Sequence, residues 1–492
     1  MKINKLTEDI GWNFDNTYTL LPDVLMTKQN PIHVKYPKLE LLNLDLAKEL
    51  NLNFDDQEKT YLSSLFSGNV LPNGSNCISQ AYAGHQFGHF TMLGDGRAVL
   101  LGEHLTNENK RFDIQFKGSG RTPYSRNGDG RAALGPMLRE YLISEAMNGL
   151  NIPTTRSLAI VTTGEDIMRE EISQAAILTR VASSHIRVGT FQYLATKNNI
   201  GALKDLVKYT FNRHYDHKTE ISNIALSLLK GLIDKQISLV LNWMRVGFIH
   251  GVLNTDNVSL SGETMDYGPC GFLEHYDPNT VFSSIDNQGR YSFVNQEIIC
   301  HWNVSRFAET LIPLLADDEK DAIDIGTKII NEFTDKFKSQ WIVMMKNKIG
   351  LTNNYPEDEK LINKILSWME KNKSDYTNTF RYLMDNNFSN ENIYKDESFL
   401  NLQNEWIRRI QKNKKTGPKY VDIMKKNNPL IIPRNHIVEE AINNVCKNND
   451  YSKFNDLLKV IKEPYEYINN TDYFQSPAPL NYTKNYKTYC GT

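Results

Sequence analysis

The spacing of apolar and polar positions changes character twice along the chain. The first eighty or so residues mix short helical patterns with polar loops such as LPNGSN. Short apolar runs with strand character follow: HFTML, then GDGR, then AVLLGEHL, then FDIQFKG. GDG between two apolar stretches predicts a hairpin, because glycine supplies the positive φ such turns require, and the three runs predict three antiparallel strands. RAALGPMLREYLISEAMNGL, 131–150, repeats apolar side chains at helical spacing through Leu134, Leu138, Tyr141, Leu142 and Ala146, which suits a helix packed on that sheet. SLAIVTTG and AAILTRVA predict two further strands. From about residue 183 the pattern turns helical, most clearly in ISNIALSLLKGLIDKQISLVLNWMRVG. After about residue 320 it stays helical to nearly the end, in DAIDIGTKIINEFTDKFKSQWIVMM, EWIRRIQ and HIVEEAINNV. Asn/Lys-rich segments between these read as solvated connections, and no internal repeat is visible.

Five strands with one helix inserted after the third is the layout of the smaller lobe of a protein kinase. The expected fold class is therefore α+β: a kinase-like two-lobed fold with an N-terminal extension and a helical C-terminal extension. Residues 1–182 are expected to hold the extension and the sheet lobe, 183–320 the helical lobe core, and 321–492 the helical extension and tail. At 492 residues there is enough chain for two or three packed units. Hydrophobic residues make up 40% and charged residues 23%, which excludes disordered and fibrous classes. A net charge of −2 gives no overall pull toward nucleic acid or an acidic membrane, so neither partner is expected. MKINKLTEDIGWNF lacks the apolar core of a secretory signal, no apolar run is long enough to span a bilayer, and a cytoplasmic location is expected. Cys77, Cys270, Cys300, Cys446 and Cys490 form no C-x-x-C pair and read as a reduced set.

Candidate chemistry begins with IHGVLNTDN, 249–257. Set against the kinase catalytic loop H-R-D-L-x-x-x-N, His250, Leu253 and Asn257 fall in register, and Val252 stands where the catalytic aspartate belongs. DYG follows, with Asp266 placed like the aspartate of D-F-G. Magnesium takes hard oxygen ligands, and Asn257 with Asp266 supply two. Asp256 is the remaining carboxylate able to accept a hydroxyl proton or assist the metal; its plainer role is capping a turn. GDGRA, Gly94 to Ala98, offers backbone N–H groups to phosphates, although a plain hairpin turn explains the same residues. Lys117 ends the strand FDIQF, as either a phosphate ligand or a surface lysine. Helical periodicity places Glu145 nearer the apolar face and Glu140 on its flank, and does not choose Glu140 as the partner of Lys117. Arg180 and Arg187 read as a phosphate clamp or as partners of carboxylates. In GHQFGH, His85 and His89 have helical ligand spacing, but Gly84 and Gly88 argue against both a helix and zinc. RNH, 434–436, reads as a loop entering a helix with Asn435 as its cap.

These residues stand in longer motifs: YAGHQFGHF, LGDGRAVLLGE, DIQFKGSGRTPYSR, GDGRAALGPMLREYLISEAM, IPTTRSLAIV, RVASSHIRVGTF, HGVLNTDNVS, DYGPCGFLE, DYTNTFRYL and NPLIIPRNH. In this order they resemble the selenoprotein O family of kinase-like protein adenylyltransferases over nearly the whole chain. The resemblance implies a nucleotide reversed relative to kinases, with the α-phosphate facing a protein hydroxyl and AMP transferred as pyrophosphate leaves. It assigns Asp256 as proton acceptor and Asn257 and Asp266 to the metal, Mg²⁺ or Mn²⁺. Around ATP it places Gly94, Gly96, Arg97, Lys117, Asp129, Gly130, Arg180, Arg187 and Asp266. It favours Glu140 as the partner of Lys117, against the periodicity, and leaves Arg121 and Arg126 near the phosphates without a role. It further implies Ser, Thr or Tyr acceptors on protein substrates and UTP as an alternative donor. Selenocysteine-bearing members carry that residue near the C-terminus, where this chain has Cys490, and a regulatory disulfide between Cys270 and Cys490 is an attached expectation. The rival readings are a phosphotransferase that moves the γ-phosphoryl group and an inert nucleotide-binding scaffold. The complete set of Lys117, Asn257 and Asp266 weighs against inertness.

Overall fold

The computed structural model describes residues 10–215, 223–385, 392–413 and 419–488. Its strands are β1 (Met26–Lys28), β2 (Lys38–Leu42), β3 (Ile78–Gln80), β4 (Ala83–Gln86), β5 (His89–Met92), β6 (Ala98–Leu105), β7 (Arg111–Lys117), β8 (Ala132–Ala133), β9 (Arg156–Met168), β10 (Ile172–Ala182), β11 (Phe248–Ile249) and β12 (Gly271–Phe272). The main sheet runs β1-β3-β6-β7-β10-β9-β2, antiparallel throughout, with β8 paired to β10. The expected α+β class and the kinase-like order of strands and helix are found.

AVLLGEHL is buried without a break as far as His104 because β6 is covered on both faces. Leu100, Ile160 and Leu178 pack with Leu138 and Leu142 of the Leu134–Gly149 helix, while Val99, Leu101, Val161 and Ile177 pack with Leu62, Leu65 and Phe66 of the Lys59–Phe66 helix. Period-two alternation thus builds two cores from one sheet. The early residues contribute β1, β2 and β3, which the sequence did not announce. β1 and β3 are three residues long, too short for a period to register.

Below the sheet the Ile224–Val246 helix starts at Asn223, whose side chain accepts from the Leu226 amide, and stops at Gly247 with φ of 77°. β11 follows at once and pairs with β12, bringing the segments carrying Asp256 and Asp266 side by side. Trp243 Nε1 donates to Thr264 Oγ1 at 2.9 Å, which pins the second segment to the helix behind it, and His250 Nε2 lies 2.9 Å from the Met265 carbonyl oxygen, which ties the first segment to the second. Among the described residues no helix is long and apolar enough to cross a membrane.

One expectation is corrected. HFTML does not lie beside AVLLGEHL in the sheet. Its residues form β5, which folds back on β4 as a separate hairpin with His85 opposite Phe90. The turn is at Phe87 and Gly88, φ of 51° and 88°, so the glycine needed for a hairpin is Gly88. GDG instead links β5 to β6.

Candidate nucleotide site

Lys117 and Arg180 point from neighbouring strands toward the same helix, because Lys117 sits opposite Leu178 and Arg180 opposite Gln115 in the β7–β10 ladder. Lys117 Nζ is 2.6 Å from Glu140 Oε2 and 2.8 Å from Asp266 Oδ1. Arg180 Nη2 is 2.6 Å from Glu140 Oε1 and 2.7 Å from Asp266 Oδ1. Two cations from the sheet therefore bridge a carboxylate of the helix and the carboxylate of DYG. Burial works against ionisation of both carboxyls, but Arg180 and Lys117 outweigh it for Glu140, and these two with Arg187 hold Asp266 well below the ordinary range. Glu145, which periodicity favoured, is bound instead by Arg156 at 2.7 Å. Both glutamates are buried, so an apolar stripe could not separate them; the discriminating fact is where each strand cation points.

Asp266 takes the left-handed conformation, φ of 62°, which aspartate tolerates better than most residues. Arg187 stacks on the Tyr82 ring at 4.1 Å, donates to the backbone oxygen of Asp256 at 3.0 Å, and lies 3.8 Å from Asp266 Oδ2. Asp256 lies in the short 3₁₀ turn Thr255–Asn257 and is buried, and its Oδ1 has no hydrogen-bond partner among the described residues. Burial raises its carboxyl to about 6, with Arg187 opposing. Gly84 of β4 lies directly against it: a Cβ at that position would stand 2.4 Å from Asp256 Oδ1. Asn257 donates its Nδ2 to the Val252 carbonyl at 2.9 Å, leaving the amide oxygen as its other coordinating end.

The glycine segments prove to be packing devices. A Cβ on Gly94 would meet Tyr124 at 2.5 Å, and one on Gly96 would meet the Tyr124 oxygen at 2.9 Å. The loop following β7 lies on GDG and is tied there by Thr122 Oγ1 to the Asp95 carbonyl at 2.6 Å and by Ser125 Oγ to that of Gly96. Gly130, φ of 71°, abuts Gly120 with no room for a side chain. Asp129 accepts from Arg169 through both oxygens, at 2.8 and 2.9 Å.

Together these residues line one cavity of about 750 Å³, within the range of small-molecule sites. Gly94, Gly96, Arg97, Lys117, Asp129, Gly130, Arg180, Arg187, Asp256, Asn257 and Asp266 all border it. Seven basic and four acidic side chains lie on its wall, an excess that suits a polyphosphate. Arg126 borders the cavity with φ of 53°, whereas Arg121 is exposed outside the lining and donates to the Arg126 carbonyl.

Sequence reasoning missed Asp95, Tyr82 and Gln86 on this wall. Asp95 is buried, accepts from the Gln80 amide and Gln115 Nε2, and is raised to about 6 by burial. Its flanking glycines were the available signal. Asn435 is not a cap: its side chain accepts from the Phe272 amide at 3.1 Å and donates to the Phe272 carbonyl at 2.8 Å, serving as an extra partner for β12. Arg434 holds the cap position and pairs with Glu274 and Asp375, 2.6 Å each. Cys270 is buried with its thiol pushed up to about 12 by burial, and the disulfide expected of it involves Cys490, which lies outside the described residues.

By class the chain is a protein nucleotidyltransferase, matching curated relatives of that description end to end. "Protein nucleotidyltransferase YdiU" of Pelagibacter ubique is 55% identical over 98% of this chain and 100% of its own length. The protein of the same name from Nitrosococcus oceani is 52% identical over 99% and 98%, and that from Bacillus cereus 51% over 98% and 99%. The family model described as "Protein adenylyltransferase SelO" matches residues 10–462, and the chain belongs to that family. A solved structure, ROP2 from Toxoplasma gondii, titled a virulence factor with a protein-kinase fold and no enzymatic activity, is 9% identical with a TM-score of 0.24, over 67% of this chain and 86% of its own.

Proposed function

We propose that this protein transfers AMP from ATP to Ser, Thr or Tyr hydroxyls of other proteins and releases pyrophosphate, with Asp256 as the proton acceptor. The observation that carries the reading is the position of the buried carboxylate. Val252 occupies the kinase base position, and Asp256 borders the cavity with a carboxyl raised to about 6 by burial and an Oδ1 that has no hydrogen-bond partner among the described residues. A carboxyl in that range is mostly ionised at neutral pH and basic enough to accept a proton as the hydroxyl attacks. A bond forms from the hydroxyl oxygen to the α-phosphorus, the bond from that phosphorus to the bridging oxygen breaks, and the hydroxyl proton passes to Asp256. Lys117, Arg180 and Arg187 hold the phosphates and neutralise charge gathering on the leaving pyrophosphate. Gly94, Gly96, Arg97, Asp129 and Gly130 border the nucleotide on the sheet side.

A divalent cation fits the oxygens present: the Asn257 amide oxygen, whose nitrogen is already engaged, and Asp266 Oδ2, which lies 3.8 Å from Arg187 Nη1. Such hard donors suit Mg²⁺ or Mn²⁺ completed by substrate phosphates and water. When bound, the cation would add positive charge against the phosphates. The same phosphate contacts would accept UTP, making UMP transfer a second donor reaction of this site.

Incubation with a protein mixture and ATP labelled on either the α- or the γ-phosphate tests the reading, with Asp266→Ala as control. Label from the α position alone, lost in the variant, is expected. Label from γ alone would mean a phosphotransferase and sink the proposal.

A further inference from the structure

The hairpin of β4 and β5 has two faces. One carries Gly84 against Asp256 and Gln86 on the cavity wall. The other carries His85, paired across the ladder with Phe90, and packs its ring on Trp302 at 5.0 Å. Trp302 lies on the Gln296–Leu315 helix one turn beyond Ile298. Phe90 is 45% exposed, Met92 43% and Ile298 61%, so this face presents apolar side chains to solvent around a half-buried tryptophan. Such a grouping marks a contact surface more often than scattered single residues do.

Charge adds direction. Arg290 stacks over Trp302 at 4.9 Å, and its guanidinium stands 3.8 Å from where a Cβ on Gly88 would be, at the tip of the hairpin. Among the described residues it has no carboxylate partner, whereas its neighbour Arg306 is paired with Glu309. The patch is also fastened to the catalytic segment: the Asn254 side-chain oxygen accepts both the Phe87 amide, 3.1 Å, and the Tyr291 hydroxyl. Asn254 lies two residues before Asp256, and Tyr291 follows Arg290.

We infer that this face docks the acceptor protein, and that it selects a hydroxyl flanked by a carboxylate for Arg290 and an apolar side chain for Phe90, Ile298 and Trp302. The inference rests on the transfer reading above and adds its acceptor specificity. Gly84 marks Asp256 and Gly88 marks Arg290, four residues apart in sequence, the last two of which, Phe87 and Gly88, form the turn. An extended acceptor running alongside would therefore place the carboxylate within about four residues of the modified hydroxyl.

The test uses the full chain, α-labelled ATP, and peptides centred on Ser, Thr or Tyr in which Asp, Lys or Ala is scanned through the flanking positions. The wild-type protein should prefer Asp at a position within about four residues of the hydroxyl, with KM about tenfold lower than for Lys there. Arg290→Glu should invert that preference, and Ile298→Ser should raise KM for every peptide bearing an apolar flank, with ATP affinity measured to show that each variant is folded. Label without charge preference, or a preference untouched by Arg290→Glu, overturns the inference while the transfer reading stands. A wild-type dimer dissociated by these variants with peptide preference unchanged also overturns it, giving the face to a second copy of the chain. No label from any peptide or protein removes the transfer reading and this inference together.

Discussion

Asp256 combines burial, an Oδ1 without a hydrogen-bond partner among the described residues, and a carboxyl raised to about 6 from an ordinary 3.8. A raised carboxyl favours the fold when protonated: its penalty is absent below the unfolded value, grows as pH rises through the interval, and is complete above about 6. In protein free of added divalent cation, Asp256→Asn should raise stability at pH 7, by at most about 3 kcal/mol, while abolishing transfer. Thermal unfolding at pH 7 and pH 4.5 checks the sign, since the gain should shrink at the lower pH. Activity should climb with pH through about 6 and then level. Asp95 titrates near the same value, so the assignment requires that Asp95→Asn keep the inflection. The tripeptide DYG and the loop HGVLNTDN were legible as candidates because their residues fall in the order of the kinase motifs. Asp95 was not, because a buried carboxylate between two glycines reads as a turn.

The hairpin is the element on which sequence and structure differ most. Its strands have four residues each, and its burial pattern is set by the Thr255–Asn257 turn and the Val188–Ala195 and Gln296–Leu315 helices, which local periodicity does not report. Gly84 shows the tightness of that fit. Gly84→Ala would put a methyl group 2.4 Å from Asp256 Oδ1 and should lower transfer at least tenfold, with a stability loss of about 1–3 kcal/mol. Comparing denaturant midpoint with turnover separates the two effects; full activity would show that β4 yields easily. The Leu134–Gly149 helix was predicted correctly as an element, but the choice of Glu140 as the partner of Lys117 came from the resemblance and not from its periodicity. Eleven of its residues are buried, so it has no polar face for periodicity to exploit, and only the cations of β7, β9 and β10 distinguish Glu140 from Glu145.

At the scale of the molecule, Arg434 joins parts of the chain far apart in sequence. It reaches Glu274 beyond DYG, Asp375 at the start of the Tyr376–Met384 helix, and the Gln475 carbonyl at 3.2 Å, and it is buried. Arg434→Met would leave two carboxylates buried without their cation and should cost about 3–5 kcal/mol, measured by urea unfolding. The helical character after residue 320 was legible from apolar spacing in three segments, the first of which holds two helices, Glu319–Asn331 and Phe333–Lys348. Their mutual arrangement was not, because single buried residues such as Arg434 and Asn435 set it and carry no periodic signal.

Lys117 and Arg180 meet an incoming triphosphate with their charge already satisfied, since Asp266 Oδ1 sits between them. Loading is then an exchange of partners in which one resident anion must give way or recruit a cation of its own. Divalent ion and nucleotide should accordingly bind with positive cooperativity, each removing the obstacle to the other. Asp266→Asn deletes the resident charge, so metal-free ATP should bind this variant more tightly than it binds the native protein, and the boost from added Mg²⁺ should vanish, both visible in a titration with and without the ion.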